Sequence, residues 1–360
     1  MDVRVQNISA VSLPFAAGTV LGVLFSGYLA GGYFLGTFAF ALAAVLAVML
    51  AMGQTRSFGA VLSMVFFAGV CCGATAVLVS SGHGVRLSAI GRVRDVISGI
   101  AYPSEQTGAV VRALTTGDRS FLGRGTVAAF RESGASHILA LSGLHLGIIY
   151  LMLSWLTAPL GRSRPARILR YCIIVGLSGF YAVATGASPS IVRAFLFILL
   201  GESARLMGRR VRPILVYCGA LTIQLALNPL VIKSAGFQLS YLAMAGIFIL
   251  YPPLKGLYPQ DSGRSILAKV DIPRRIWEMA ALSISCQVFT APLAWIYFGT
   301  FPKYFLLTNL LAMPLTTIIM ALSVVVILLS ALGCCPDILV LWNDYAVQTL
   351  LRLLELISSM

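Results

Sequence analysis

The sequence predicts an all-α fold, a polytopic membrane helical bundle of about ten spans with amphipathic surface helices, and three observations predict it. Hydrophobic residues make up 59% and charged residues 11% of 360, with a mean hydropathy of +0.92, far from the balance of a soluble domain. Apolar runs long enough to cross a hydrocarbon core of roughly 30 Å recur along the chain. Connectors rich in arginine alternate with connectors almost bare of charge, which is the signature of segments that cross a bilayer back and forth.

Taken in order, the expected spans are residues 13–31, 33–52, 58–79, 137–159, 171–187, 190–207, 213–231, 236–253, 277–298 and 304–331. The first reads as a retained signal anchor: Arg4 is offset by Asp2, no small-x-small cleavage site follows, and a second apolar run begins at once. The connector 161–170 holds Arg162, Arg164, Arg167 and Arg170, the one at 205–212 holds Arg205, Arg209, Arg210 and Arg212, and 254–275 holds Lys255, Arg264, Lys269, Arg274 and Arg275. Lys233 and Lys303 are nearly all that the alternate connectors offer. The positive-inside rule then puts the rich loops and the N-terminus in the cytoplasm and residues 80–136 outside. Four regions follow: N-terminal transmembrane helices over 1–79, an extracytoplasmic basic segment over 80–136, a transmembrane domain over 137–335 and a C-terminal amphipathic helix over 336–360. In the last, polar residues at 337, 344, 348, 352 and 355 form a stripe opposite Ile338, Leu341, Trp342, Tyr345 and Leu353, so the helix either lies in the interface or packs on the bundle.

The net charge of +14 comes from 22 arginines and 4 lysines against 12 acids. Arginine keeps its charge and grips phosphate with a planar fork. The outer segment carries Arg86, Arg92, Arg94, Arg112, Arg119, Arg124 and Arg131 against Asp95, Glu105, Asp118 and Glu132, an excess of base on the side where base is normally scarce. It reads either as a solvated face or as a surface that collects a polyanion. Within it Ala89, Val93, Val96, Ile97 and Ile100 share one helical face, opposite Arg92 and Asp95. Carboxylates are absent from 134–200, 204–259 and 280–335. Proton- and cation-coupled transporters depend on intramembrane carboxylates, so a path through this bundle suits an anion or a neutral solute. No internal repeat is visible, which disfavours an inverted-repeat transporter. The seven cysteines are odd in number and lack zinc spacing, and they read as small buried hydrophobes.

Polar groups inside apolar runs mark the candidate site, because an unpartnered hydroxyl or imidazole there costs roughly 1–3 kcal/mol. The run SGASHILALSGLHLG from Ser133 to Gly147 holds His137, Ser142 and His145, and Ser142 and His145 lie on one helix face. They either line a polar path or, with Ser136, Gly143 and Gly147, form a small-residue seam between helices. In GASPSIVRAF, Ser188 and Pro189 read as an N-cap and first-turn proline, and Arg193 in that first stretch either snorkels to headgroups or contacts a phosphate backbone. Gln238, Ser240, Gln287 and Asn309 complete the neutral inventory, and Tyr241, Trp295 and Tyr297 are aromatics able to stack on bases or simply to pack.

The run TGDRSFLGRGTVAAFRESGASHILALSGLHLG, then GASPSIVRAF, NPLVIKSAGFQLSYLAMAG and SISCQVFTAPLAWIYFGTFPKYFLLTNLLAMPL, resembles in order and spacing the competence domain of ComEC-type proteins, over roughly residues 105–330. The resemblance implies an inner-membrane channel that passes one DNA strand into the cytoplasm during natural transformation. The positions that match it are His137, Ser142, Gly143 and His145, then Arg193 and Ala194, then Gly236, Phe237, Gln238 and Ser240, then Gln287, Pro292, Asn309 and Pro314. The DNA-path candidates are accordingly His137, Ser142, His145, Arg193, Gln238, Ser240, Gln287 and Asn309, and the outer DNA-contact candidates are Arg86, Arg92, Arg94, Arg112 and Arg119. Fuller family members also carry an OB-like and a metallo-β-lactamase-like domain. Neither pattern is found here, and no His-x-His-x-Asp-His cluster or phosphate-binding GxxxxGK[ST] loop occurs.

No catalytic residue, metal site or cofactor is therefore expected. The expected partners are single-stranded DNA, the bilayer, and separate polypeptides serving as DNA receptor, nuclease and cytoplasmic motor or strand-binding protein. Two other readings stand beside the channel. A permease for a small anion or lipid headgroup fits the same acid-poor core. An intramembrane hydrolase using Ser142 and His145 fits less well, since both side chains leave one helix turn and leave little geometry for substrate.

Overall fold

The computed structural model describes residues 16–20, 96, 99–161, 163–258, 272–299 and 303–359. The expected spans at 33–52 and 58–79, most of 13–31, and the candidates Arg86, Arg92 and Arg94 lie outside these residues. The described chain is helical throughout: α1 (Glu105–Thr116), α2 (Arg124–Glu132), α3 (Ser136–Leu139), α4 (Gly143–Leu156), α5 (Arg164–Ala184), α6 (Pro189–Leu206), α7 (Pro213–Leu227), α8 (Ala235–Ile249), α9 (Tyr251–Gly256), α10 (Ile272–Phe298), α11 (Phe305–Ala331) and α12 (Asp337–Ser358). Five stretches are long and apolar enough to cross a bilayer: Gly143–Leu160, Arg164–Ala184, Ala235–Gly256, Ile272–Phe298 and Phe305–Ala331. The helices α6 and α7 coincide with two more expected spans, but α6 carries Arg193, Glu202 and Arg205, and α7 has only 15 residues. Of the seven expected crossings that fall on described residues, five thus have full span character.

Local sequence explains the helix ends. Proline opens α6 and α7 at the first position, where its missing N–H costs nothing. Ser163 caps α5 through its hydroxyl, which accepts the Ala166 N–H at 3.4 Å. The run expected to span 137–159 is broken: Ala140 and Ser142 are extended, so α3 ends at Leu139 and a new helix starts at Gly143. Between α5 and α6, Gly186 and Ala187 both adopt left-handed backbone, and this tight turn sets Ser188, Pro189 and Ser190 at the start of α6.

The described residues fall into two compact units. One takes in Phe195–Phe237, and the other takes in the described parts of Leu87–Ala194 and Gln238–Met360. In the first, Phe197 of α6 meets Tyr217 of α7 edge to face at 6.5 Å between centroids, and Glu202 is buried with Arg205 at 2.7 Å.

In the second unit a single apolar core joins α1, α2, α3, α4, α11 and α12. Its fully buried members include Leu114, Phe130, Ile319, Met320, Leu350 and Leu354. The amphipathic C-terminal helix packs on the bundle. It folds back along α11 after a short turn, and Asn343 and Ser323 hydrogen bond across the pair at 3.0 Å. Part of the basic segment, α1 and α2, packs against the same pair rather than standing apart from the helices. Two hydrogen bonds to main-chain carbonyls fasten that segment: Thr308 Oγ1 donates to Ser133 at 2.6 Å, and the Tyr181 hydroxyl donates to Thr115 at 3.0 Å.

Candidate functional site

The sequence places SGLH, SPSIVR and GFQLS about 50 residues apart, and the fold brings them into one polar junction. It forms where the N-terminus of α4, the first turns of α6 and the middle of α8 meet. Gly143 donates its N–H to Ser190 Oγ at 3.3 Å, and Ser190 Oγ in turn lies 3.0 Å from Ser240 Oγ. Arg193 donates through Nη1 to the carbonyl of Ser240 and sits over the Tyr241 ring at 5.9 Å from its centroid. The absence of a side chain at Gly143 makes the meeting possible. A Cβ there would stand 2.9 Å from Arg193 Nη2 and 3.2 Å from the Ala194 Cβ. Gly147, one turn on, has open space around it. The small-residue seam therefore runs through Gly143 and not through Gly147.

Ser142 and His145 act on the helix end itself. The Ser142 hydroxyl accepts the Leu144 N–H at 3.2 Å, and the Ser142 N–H is taken by His145 Nδ1 at 3.0 Å, a capping box in which histidine stands where glutamate or glutamine is usual. A backbone amide can only donate, so Nδ1 accepts and the proton of the neutral ring sits on Nε2. His145 is 1% exposed, and its Nε2 has no hydrogen-bond partner among the described residues. The nitrogen facing Ser142 is thus spent on the cap. Ser142→Ala is expected to lower the melting temperature in detergent by the equivalent of about 1 kcal/mol and to reduce function only partly. Ser142→Thr, which keeps the acceptor, should restore both. Complete loss in the alanine variant with an unchanged melting temperature would contradict a capping role.

The remaining candidates separate. Gln238 accepts a hydrogen bond from the Tyr297 hydroxyl at 3.0 Å, which ties the start of α8 to the end of α10. Tyr241 is 5% exposed, beneath Arg193, so it packs, whereas Trp295 and Tyr297 are exposed at 59% and 43%. Gln287 is half-buried on α10. His137 lies on α3, exposed, with Nδ1 3.2 Å from the Gly134 carbonyl, and it does not join the junction. Asn309 follows Thr308, which is bonded to Ser133, and its Oδ1 is buried with no partner among the described residues.

Of the outer arginines, Arg112 lies over the Phe121 ring at 4.1 Å, and Arg119 Nε donates to the Leu139 carbonyl at the end of α3 at 3.1 Å. Arg112 is engaged within its own segment, whereas Arg119 reaches across to the end of α3. Ser188 precedes α6 as expected and its carbonyl accepts the Val192 N–H at 2.9 Å, but its hydroxyl is buried and has no partner among the described residues. Ser190, the bridge of the junction, was not singled out from the sequence. Its signal was the second serine of SPS, one turn before Arg193. Among the described residues no three His, Cys, Asp or Glu side chains group as metal ligands do.

The Competence protein family model matches residues 114–360. The chain is 27% identical to ComE operon protein 3 of Bacillus subtilis over 259 residues, 71% of this chain and 31% of that protein. It is 30% identical to Competence protein ComA of Neisseria gonorrhoeae over 187 residues, 49% of this chain and 26% of the other. It is 23% identical to Recombination protein 2 of Haemophilus influenzae over 245 residues, 67% of this chain and 30% of the other. The chain thus spans about a third or less of the length of these relatives. No solved structure matches it.

Proposed function

This chain belongs to the Competence protein family, and on that premise we propose that it forms a bilayer conduit through which single-stranded DNA enters the cytoplasm during natural transformation. The observation that carries the reading is the junction of α4, α6 and α8. There Ser190, Ser240 and Arg193 gather in a membrane bundle as hydroxyls and one fixed cation, with no carboxylate in the three motifs that meet. A strand with one negative charge per nucleotide needs hydrogen-bond donors and modest positive potential without a deep trap. Two buried polar atoms, His145 Nε2 and Asn309 Oδ1, have hydrogen-bonding capacity left to offer water or solute.

In this reading His137, Ser142, His145, Arg193, Gln238, Ser240, Gln287 and Asn309 shape or border the path. Arg86, Arg92, Arg94, Arg112 and Arg119 help to collect DNA. The protein sits in the bacterial cytoplasmic membrane with its N-terminus inside. Receptor, nuclease and motor or strand-binding functions come from separate polypeptides. The relatives named for competence support a role in uptake.

The test is a deletion strain supplied with labelled DNA. Uptake into the cytoplasm should be lost while DNA bound at the cell surface persists. The purified protein in liposomes should bind a labelled single-stranded oligonucleotide with an affinity that falls with salt, by a log–log slope of about −0.7 for each phosphate contacted. Normal uptake in the deletion strain, or salt-independent binding, would refute the proposal.

A further inference from the structure

The helix α12 buries polar side chains beside its apolar inward face and leaves large apolar side chains exposed on the outer face of its first turns. It carries Asp337, Asp344, Arg352 and Glu355, so run length and composition do not mark it as a span. Yet three of its polar side chains, Asn343, Asp344 and Gln348, are turned into the protein, while Asp337, Arg352 and Glu355 are exposed. Asn343 is fully buried, and its Nδ2 lies 3.0 Å from Ser323 Oγ and 3.3 Å from the Tyr102 hydroxyl. Asp344 accepts from Thr107 Oγ1 at 2.5 Å, and Gln348 Nε2 donates to that same oxygen at 3.2 Å. Thr107 is itself fully buried. The outward face over the first turns is Ile338, Leu341, Trp342 and Tyr345, exposed at 54%, 50%, 61% and 75%.

Depth follows from the pairing with α11. That helix has 27 residues and spans about 40 Å at 1.5 Å per residue, more than the roughly 30 Å of hydrocarbon. The pairing of Asn343 with Ser323 sets the level of α12, and its buried Ala346, Val347, Leu350 and Leu354 continue in the same core as Ile319 and Ala312. Ile338 to Tyr345 therefore stand beside the last three turns of α11, whose own outward Leu328 is 58% exposed. The apolar face continues that of a membrane-crossing helix and ends before the exposed Arg352 and Glu355. Trp342 stands nearer the turn between the helices than Tyr345 does, toward the belt where bilayer meets water.

We propose that α12 is embedded in the bilayer beside α11, with Ile338, Leu341, Trp342 and Tyr345 against the acyl chains of one leaflet and Asn343, Asp344 and Gln348 shielded by Tyr102, Thr107 and Ser323. Asn343, Asp344 and Gln348 form an internal seam that fastens the segment before α1, and α1 itself, to the helical hairpin.

The test places benzoylphenylalanine at Tyr345 in the full chain and irradiates intact membranes. A phospholipid adduct is expected. An adduct to a second copy or to another protein, or the absence of any lipid adduct, overturns the proposal. A second measurement keeps Trp342 as the single tryptophan (Trp155→Phe, Trp277→Phe, Trp295→Phe) in vesicles. Its fluorescence should be lost with brominated acyl chains and stay unchanged with aqueous iodide, and the opposite response overturns the assignment. Neither readout involves DNA, so the outcome is separable from that of the proposed function.

Discussion

Replacing Gly246 by alanine is expected to force α8 away from α10 and to lower the proposed DNA uptake. A Cβ at this position would run into the carbonyl oxygen of Ser285, with the Ser285 carbonyl carbon at 3.0 Å and Phe289 Cδ2 at 3.1 Å. The phenyl ring can turn aside, but the main chain of a buried helix turn cannot. Ser285 is fully buried, and its hydroxyl is already bonded to Ala281 at 2.6 Å. Exchanging glycine for alanine inside a helix gains about 1 kcal/mol of propensity. Overpacking a close helix contact costs about 1–3 kcal/mol and sometimes more, and a contact made to backbone belongs at the upper end. The clash wins, with a net loss of about 2 kcal/mol, or some thirtyfold in the ratio of packed to unpacked protein. The measurement is the melting temperature in detergent beside transformation frequency. Gly147→Ala is the control, since open space surrounds that Cβ. It should be neutral or slightly stabilising, and equal damage from both substitutions would remove the close approach as the cause.

Arg193→Ala carries the second large effect, and Arg193→Lys decides its meaning. The guanidinium donates to the Ser240 carbonyl, lies over Tyr241, and stands against the bare face of Gly143. A hydrogen bond from a charged donor is worth about 1.5–3 kcal/mol, and a cation over an aromatic ring contributes up to about 2 kcal/mol when desolvated. Alanine forfeits both, and a fall in transformation of tenfold or more is expected, with a lower melting temperature. Lysine has one compact ammonium and no planar fork, so it cannot serve carbonyl and ring together. The lysine variant should therefore resemble alanine. If Arg193 instead acts as a phosphate contact, lysine should rescue uptake, and the salt slope of oligonucleotide binding should fall by about 0.7 in the alanine variant alone. For a residue that pins three helices, the slope stays constant while stability drops.

The membrane class and most helix positions were legible because both follow from local composition. A run such as residues 304–331 is apolar wherever it folds, and α11 occupies Phe305–Ala331. Motif order was equally visible, since a polar residue inside an apolar run stands out against its neighbours. Roles within the motifs were not visible. His145 is attractive in sequence as a path-lining imidazole, but its Nδ1 receives the Ser142 amide because Ala140 and Ser142 turn extended and start a new helix there. Gly143 and Gly147 look alike on paper. One faces Arg193 and the other open space, a difference set by where α6 crosses α4.

By itself the sequence determined that this chain is a helical membrane protein of the Competence family, with an acid-poor interior and basic residues concentrated in its connectors, because hydropathy, charge and motif order are properties of the chain read along its length. Only the tertiary structure decided that SGLH, SPSIVR and GFQLS share one junction around Ser190, Ser240 and Arg193. It alone decided too that α12 turns Asn343, Asp344 and Gln348 inward while leaving Asp337, Arg352 and Glu355 exposed. Which face of a helix is buried depends on the partner it meets, and that partner, Thr107 for Asp344 and Gln348, stands more than two hundred residues away in the chain.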